Sequence, residues 1–481
     1  MNPKKILIKQ TLISYSGLII TYIIGFFSIF FLTRVLSVEQ YGVYSLLFTF
    51  ATMLGIFVNI GVAEYINSQF GKFNSSEKNK RFSRILLFSA IIQLIFCIIL
   101  FLLRFEIVNA LNIKDYIFEY TIAIIVIFNL ALLRDVYAYH QSRKRLEFTA
   151  MLNFFSLNVG TILFVVHYLI TKTLNIKIVF FYWLLAVALS NFIGLFKKIK
   201  FKTKVNTKDV LKPVLIFSIP LMFFIISDSM INFSSRFIIN SILGKAEVAF
   251  YTLAYQLHSI IFSFGAFIFY LFLPYIAERS HRNKEIKHYI NYAVKYCLMI
   301  VIPLVTLLSI MAKEIITLVS GVNYIPSVKF IWFLAPFPVI ASLVVLLYNQ
   351  MWIKEKTKFL GILCLLVSLF NIALTFFLVK YFKSAIGAAI ATVVSYLILF
   401  TVLFFEARMK IYLDYRFLKI RKIILASLLA GLAIFFIKPE TFVYKVWTIL
   451  LFFVIYILLI IIFNTFVEDE KKIFRFITLR R

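Results

Sequence analysis

A charge inside hydrocarbon costs a few kcal/mol and persists only beside a wet cavity or a partner, so ionisable residues within long apolar runs are where chemistry is sought first. Among acidic residues only Asp228 lies well inside such a run; Glu64, Asp135 and Glu406 stand near run ends, within reach of water. Asp228, Asn232 and Arg236 are spaced i, i+4, i+8 and so share one helix face over two turns. Pro220, eight residues before Asp228, removes a backbone hydrogen bond and can kink the helix. A kinked helix with a polar stripe is a cavity wall or a moving gate, and Asp228 is the first candidate to carry a coupled H+ or Na+, with Glu64 the second. Simpler roles compete. Arg236 and Arg34 could snorkel to outer headgroups, Lys295 could extend its stem to inner ones, and Asp228 could close a structural hydrogen bond with a neighbouring hydroxyl. Arg134 and Asp135, adjacent at the inner end of their run, read as interfacial contacts.

The elements that carry these residues follow from composition. With 62% hydrophobic and 15% charged residues, the chain is far more apolar than soluble domains, which are about half apolar and a quarter charged. One bilayer crossing needs about 20 mostly apolar residues in helical form. Fourteen such runs are expected, near 11–33, 43–65, 83–103, 118–138, 149–170, 176–196, 213–235, 249–274, 290–311, 328–350, 358–379, 385–406, 422–437 and 446–466. Short alternating segments, the mark of a membrane barrel, are absent from the sequence. The first run is too long for a signal peptide and lacks a small-residue cleavage pattern, so it is expected to remain in the mature protein. The expectation is an all-α integral membrane protein with about 14 transmembrane helices.

Basic residues in short loops are retained on the cytoplasmic side. Roughly 36 Lys and Arg fall in the two tails and the loops after even-numbered runs, against roughly 13 in the other loops, which predicts both termini in the cytoplasm. The same asymmetry accounts for the net charge of +30 through contact with anionic lipid, so no nucleic-acid partner is expected. Outer loops of mostly about ten residues or fewer leave no room for the catalytic domain that a membrane polysaccharide polymerase or ligase would need. Cys97, Cys297 and Cys364 lie within apolar runs without CxxC spacing, and the five histidines are scattered, so neither a metal site nor a cofactor is expected. Amides such as Asn59, Asn158 and Asn191 are placed to hydrogen-bond between helices.

The architecture starts twice. A basic run (Lys4, Lys5, Lys9), an apolar run and a polar link at Leu36–Leu46 recur as Lys197–Lys212, the run from Pro213, and a link at Leu243–Leu253. This divides the chain into an N-terminal six-helix lobe (1–200), a C-terminal six-helix lobe (201–412) and a terminal helix pair with a cytoplasmic tail (413–481).

The link Arg34-Val-Leu-Ser-Val-Glu-Gln-Tyr-Gly-Val-Tyr44 resembles that of polysaccharide transporters of the O-antigen flippase type, within the multidrug/oligosaccharidyl-lipid/polysaccharide (MOP) exporter superfamily. Asn371 followed by Ile386-Gly-Ala-Ala-Ile-Ala-Thr392 is similar to a second signature of that family, and Leu273-Pro274 to a third. The resemblance implies a V-shaped, MATE-like transporter that alternates between inward-open and outward-open states. Its implied cargo is an oligosaccharide linked by pyrophosphate to polyprenol, carried across the bacterial inner membrane. Other polysaccharide-assembly proteins are implied as possible partners. Arg34, Arg236 and Lys295 are then placed to attract the pyrophosphate, with Asp228 and Asn232 beside them. Three departures are visible: Gly61-Val-Ala-Glu64 is acidic where the family often carries a basic residue, buried arginines typical of lipid II flippases are missing from runs one, two and eight, and run one lacks the acidic residue common in cation-coupled multidrug exporters, the alternative reading.

Overall fold

The computed structural model describes residues 20–196, 207–278, 283–437 and 439–466. The basic runs at Lys4–Lys9 and Lys197–Lys204 lie outside them, as does the side chain of Pro220. Within the described residues, each expected apolar run overlaps helix. The first is α1 (Ile20–Val35). The chain then caps α2 (Val38–Val58) with Ser37, whose hydroxyl accepts from the Gln40 amide at 3.2 Å while Gln40 reaches back to the Ser37 N–H, so two of the orphan donors of a helix start are satisfied reciprocally. A break at 59–61 separates α2 from the short α3 (Val62–Gln69). Asn74 caps α4 (Ser75–Leu102), which is followed by α5 (Arg104–Ala110) and α6 (Ile117–Ser142). The fifth run is α7 (Leu146–Phe154), a π-helical turn (Phe155–Val159) and α8 (Gly160–Thr171); α9 (Ile176–Phe196) follows.

α10 (Thr207–Leu243) is helical without interruption through position 220. Gly244, at φ +90°, turns the chain into α11 (Lys245–Glu278). Next come α12 (Asn283–Ile310), α13 (Ala312–Ser320), α14 (Val328–Leu334), α15 (Phe337–Ile353), α16 (Thr357–Phe382) and α17 (Ile386–Glu406). A one-turn α18 (Tyr415–Leu418), α19 (Ile420–Phe435) and α20 (Phe442–Ile462) complete it. Among the described residues eleven helices are long and apolar enough to cross a membrane, and α14 with α15, bent by 49°, would make a twelfth. The remaining two of the fourteen expected runs are α1, described from Ile20 onward, and α19, which has 16 residues, about 24 Å of rise against a core of about 30 Å.

Contacts group the chain into two compact units, Met1–Thr252 with Gly361–Ala385, and Leu253–Leu360 with Ile386–Arg481. In the first, α2, α3, α4 and α9 pack around α6. In the second, α15 packs on α17, and α12 on α15 and α19. The outward face of α4 is aliphatic, unlike that of a water-soluble helix. The buried face carries Ser83, Ser89 and Gln93 among Phe82, Ile85 and Leu86, whereas Leu87, Ile91, Leu94, Ile95 and Ile98 are exposed. Hydrocarbon supplies no force to hide aliphatic side chains, while hydroxyls and amides must find partners inside.

Close backbone approach sets one local requirement. A Cβ on Gly42 in α2 would overlap the carbonyl of Lys245 at the start of α11, within the first unit. Gly25, in contrast, has nothing within 4 Å of its hypothetical Cβ. Gly42→Ala is expected to lower the unfolding free energy by about 1–3 kcal/mol through overpacking, whereas Gly25→Ala raises it slightly by helix propensity; melting curves of the two purified variants compare them.

Candidate functional site

The α10 stripe forms as the spacing requires. Asn232 Nδ2 donates to the Asp228 carbonyl at 2.8 Å and lies 3.5 Å from its carboxylate Oδ2. One turn later Arg236 Nη1 donates to the Asn232 carbonyl at 2.9 Å, and its Nε to Thr252 Oγ1 at 3.3 Å. The guanidinium stands 5.9 Å from the centroid of Phe233. Arg236 is only 4% exposed, so it turns into the protein instead of snorkelling outward. Asp228 and Asn232 are half-buried. The result is a continuous polar ladder on an apolar helix: carboxylate, amide, guanidinium.

The other sequence candidates lie on other helices. Arg34, at the end of α1, is exposed and lies over the ring of Phe30 one turn back, at 4.4 Å. Lys295 belongs to the second unit and is 0% exposed. Its ammonium does not extend to headgroups; it sits 5.4 Å from the Phe417 ring centroid, and Phe417 also meets the Tyr292 ring edge-on at 4.9 Å. Asn291 fixes this corner, donating to the Tyr412 carbonyl at 2.7 Å and accepting the Asp414 N–H at 2.8 Å. A buried ammonium against an aromatic face is a desolvated cation–π arrangement. Glu64, the second coupling candidate, already holds a cation: Arg134 Nη2 bonds its Oε1 at 2.7 Å.

Asp135 is the residue that sequence reasoning missed. It is not interfacial. It is 0% exposed, its Oδ1 accepts from Asn59 Nδ2 at 2.8 Å, and its Oδ2 accepts from Ser89 Oγ at 2.7 Å and Gln93 Nε2 at 3.3 Å. Asn59 Nδ2 also reaches the Ala131 carbonyl at 3.1 Å, and its Oδ1 takes the Ala63 N–H at 3.1 Å. The network thereby joins the end of α2, the middle of α4 and the last turns of α6. Ser89 and Gln93, four apart in an otherwise aliphatic run, were the available signal. Neighbouring helical positions diverge by about 100°, which is why Arg134 meets Glu64 while Asp135 turns inward.

Removing the carboxylate would strip three buried donors of their acceptor. Asp135→Ala is expected to cost about 3 kcal/mol or more, since each buried unsatisfied donor costs about 1–3 kcal/mol. Arg34→Ala, at an exposed position, should leave melting temperature almost unchanged; thermal unfolding in detergent measures both.

Among the described residues no group of three or more His, Cys, Asp or Glu is placed to hold a metal ion. No curated protein sequence matches the chain significantly. Among solved structures, the lipid II flippase MurJ in an inward closed conformation superposes with a TM-score of 0.79 at 17% identity, over 94% of this chain and 98% of that one. An inward-facing multidrug resistance MATE family transporter of the MOP superfamily gives 0.65 at 15%, over 83% and 98%. A MOP superfamily transporter from Pyrococcus furiosus, noted for the reverse polarity of its binding pocket, gives 0.54 at 14%, over 84% and 94%. At these identities the likeness establishes the fold, which is that of the MurJ and MATE structures. A family model described as polysaccharide biosynthesis protein matches residues 31–329, well over half of the sequence, and the chain belongs to that family.

Proposed function

We propose that this protein is a flippase that moves a polyprenyl-pyrophosphate-linked oligosaccharide from the cytoplasmic to the outer leaflet of a bacterial inner membrane, for surface-polysaccharide assembly. The observation that carries the reading is the ladder Asp228–Asn232–Arg236 inside an apolar helix of a polysaccharide-biosynthesis family member. A sugar head group cannot cross hydrocarbon and needs a wet, polar-lined path, while a polyprenyl tail can stay among lipids. A guanidinium offers paired donors to a pyrophosphate, and Asn232 and Asp228 offer amide and carboxylate groups to sugar hydroxyls. Alternating exposure of such a path to the two faces, with repeats over 1–200 and 201–412 and both termini in the cytoplasm, needs little rearrangement within each repeat. The fold shared with the lipid II flippase MurJ supports a lipid-linked cargo, and the motifs at Arg34–Tyr44 and Ile386–Thr392 support an oligosaccharide on it.

Deleting the gene should stop surface glycan and accumulate a lipid-linked oligosaccharide at the inner leaflet, identified by mass spectrometry of extracted lipids. Unchanged glycan together with raised sensitivity to cationic dyes would replace this reading with a multidrug exporter. In the complemented strain, Asp228→Asn should impair export at normal membrane level. Alanine at Arg34 and Arg236 should reduce glycan more than lysine does, because lysine keeps the charge; equal losses would assign both arginines to packing.

A further inference from the structure

The Asp135 network is an unusual host for a carboxylate. Among the described residues no cation pairs with it. Its donors are neutral, two amides and a hydroxyl. The nearby acid Glu64 adds like charge, and the adjacent Arg134 is committed to that acid at 2.7 Å. Other charges on the helices packed against α6 are distant or engaged. Lys177 of α9 stands over Phe118 at 5.5 Å, at the far end of α6, and Glu39 opens the first turn of α2. On α4, Lys78 donates to the Ser142 carbonyl at 2.8 Å, Arg81 pairs with Glu77, and Arg84 precedes Ser89 by more than one turn and Gln93 by more than two. Glu147 opens α7, while Arg104 and Glu106 lie on α5, beyond the opposite end of α4. An ionised carboxylate left without a cation in a dry interior is costly, and taking up a proton removes that cost.

A second observation points to the same ligand. Gln93 is 0% exposed, and its Oε1 has no hydrogen-bond partner among the described residues, although its Nε2 contacts both Ser89 Oγ and Asp135 Oδ2. An amide presents an acceptor where it presented donors after a half-turn about its last bond. Gln93 can therefore donate to a charged Asp135 and accept from a protonated one. A lysine or arginine in its place could serve only the charged form. Beside Asn59 and Ser89 lies a small cavity of about 10 Å³ walled by apolar atoms, also lined by Val58, Ile60 and Ser218.

We propose that Asp135 is a reversible proton-binding site: Oδ2 takes a proton from water, and the new O–H is received by Gln93 Oε1. The site is built onto a strained break. Between α2 and α3, Ile60 adopts φ +50° and Gly61 φ +71°, a left-handed conformation that costs a β-branched residue about 1–3 kcal/mol. The Ser218 hydroxyl donates to the Gly61 carbonyl at 2.9 Å, and Asn59 holds the other side through Asp135. Hydrogen bonds to an ionised acceptor are stronger than those to a neutral one. Protonation thus loosens the tie that stabilises the break, and the charge on Asp135 sets how firmly α2 and α3 are held on α6.

The test is infrared difference spectroscopy of the full-length protein in liposomes, with no cargo present, so that its outcome is independent of the flippase reading. Acidification should produce a carboxylic-acid carbonyl band that persists in Asp228→Asn and Glu64→Gln and vanishes in Asp135→Asn. Asn59→Ala, which removes the donor to Oδ1, the carbonyl oxygen of the protonated acid, should keep the band and move it to higher wavenumber, as for a carbonyl that loses a hydrogen bond, which carries the test if the Asp135→Asn variant does not fold. A band unchanged in Asp135→Asn or unmoved in Asn59→Ala overturns the proposal, as does a carboxylate signal that responds to sodium chloride and not to pH.

Discussion

A polar group buried in an apolar interior needs a partner, and much of the structure follows from which part of the chain supplies it. In a soluble protein the surface is polar; here the outward faces are aliphatic, and the inward faces hold hydroxyls and amides among apolar side chains. Asn158 donates to Thr21 Oγ1 at 3.0 Å, and Asn191 to the Asn129 carbonyl at 2.8 Å, each joining helices remote in sequence. Ser190 Oγ reaches the Leu152 carbonyl at 3.3 Å. Such contacts are individually modest, on the order of 0.6 kcal/mol in membranes. Their value is positional, because only one register of two helices satisfies them.

The same constraint explains which parts of the fold were legible in the sequence. A bilayer crossing satisfies its backbone locally, so every expected run could be recognised from its own residues, including the ladder on α10, whose members lie four apart. The break at Asn59–Gly61 was not visible, since its stabilising partners Asp135 and Ser218 come from α6 and α10. Asp135 itself was assigned by its position near the end of an apolar run, but depth along the membrane normal says nothing about which way a side chain turns. The surroundings of Lys295 were hidden for the same reason: the length of its stem allowed contact with headgroups, while the Phe417 ring, supplied by α18, stands 5.4 Å from its ammonium.

Family membership was legible for a different reason. The Arg34–Tyr44 link is where α1 ends and α2 begins, and a capping box together with a glycine that must clear the Lys245 carbonyl leaves few acceptable residues. Short stretches of that kind carry more information than the apolar runs around them, where many aliphatic residues are interchangeable.

The π-helical turn at Phe155–Val159 has a consequence of its own. One additional residue in a helical turn rotates everything beyond it by about 100° relative to what precedes. Here that rotation brings Gly160 against the backbone of Tyr182 and Trp183 on α9, where its hypothetical Cβ would stand 3.2 Å from the nearest atoms. The turn works as a phase shifter: α7 and α8 occupy one apolar run but present faces that belong to two different helical wheels, so a periodicity drawn continuously across residues 146–171 would aim half of the side chains in the wrong direction.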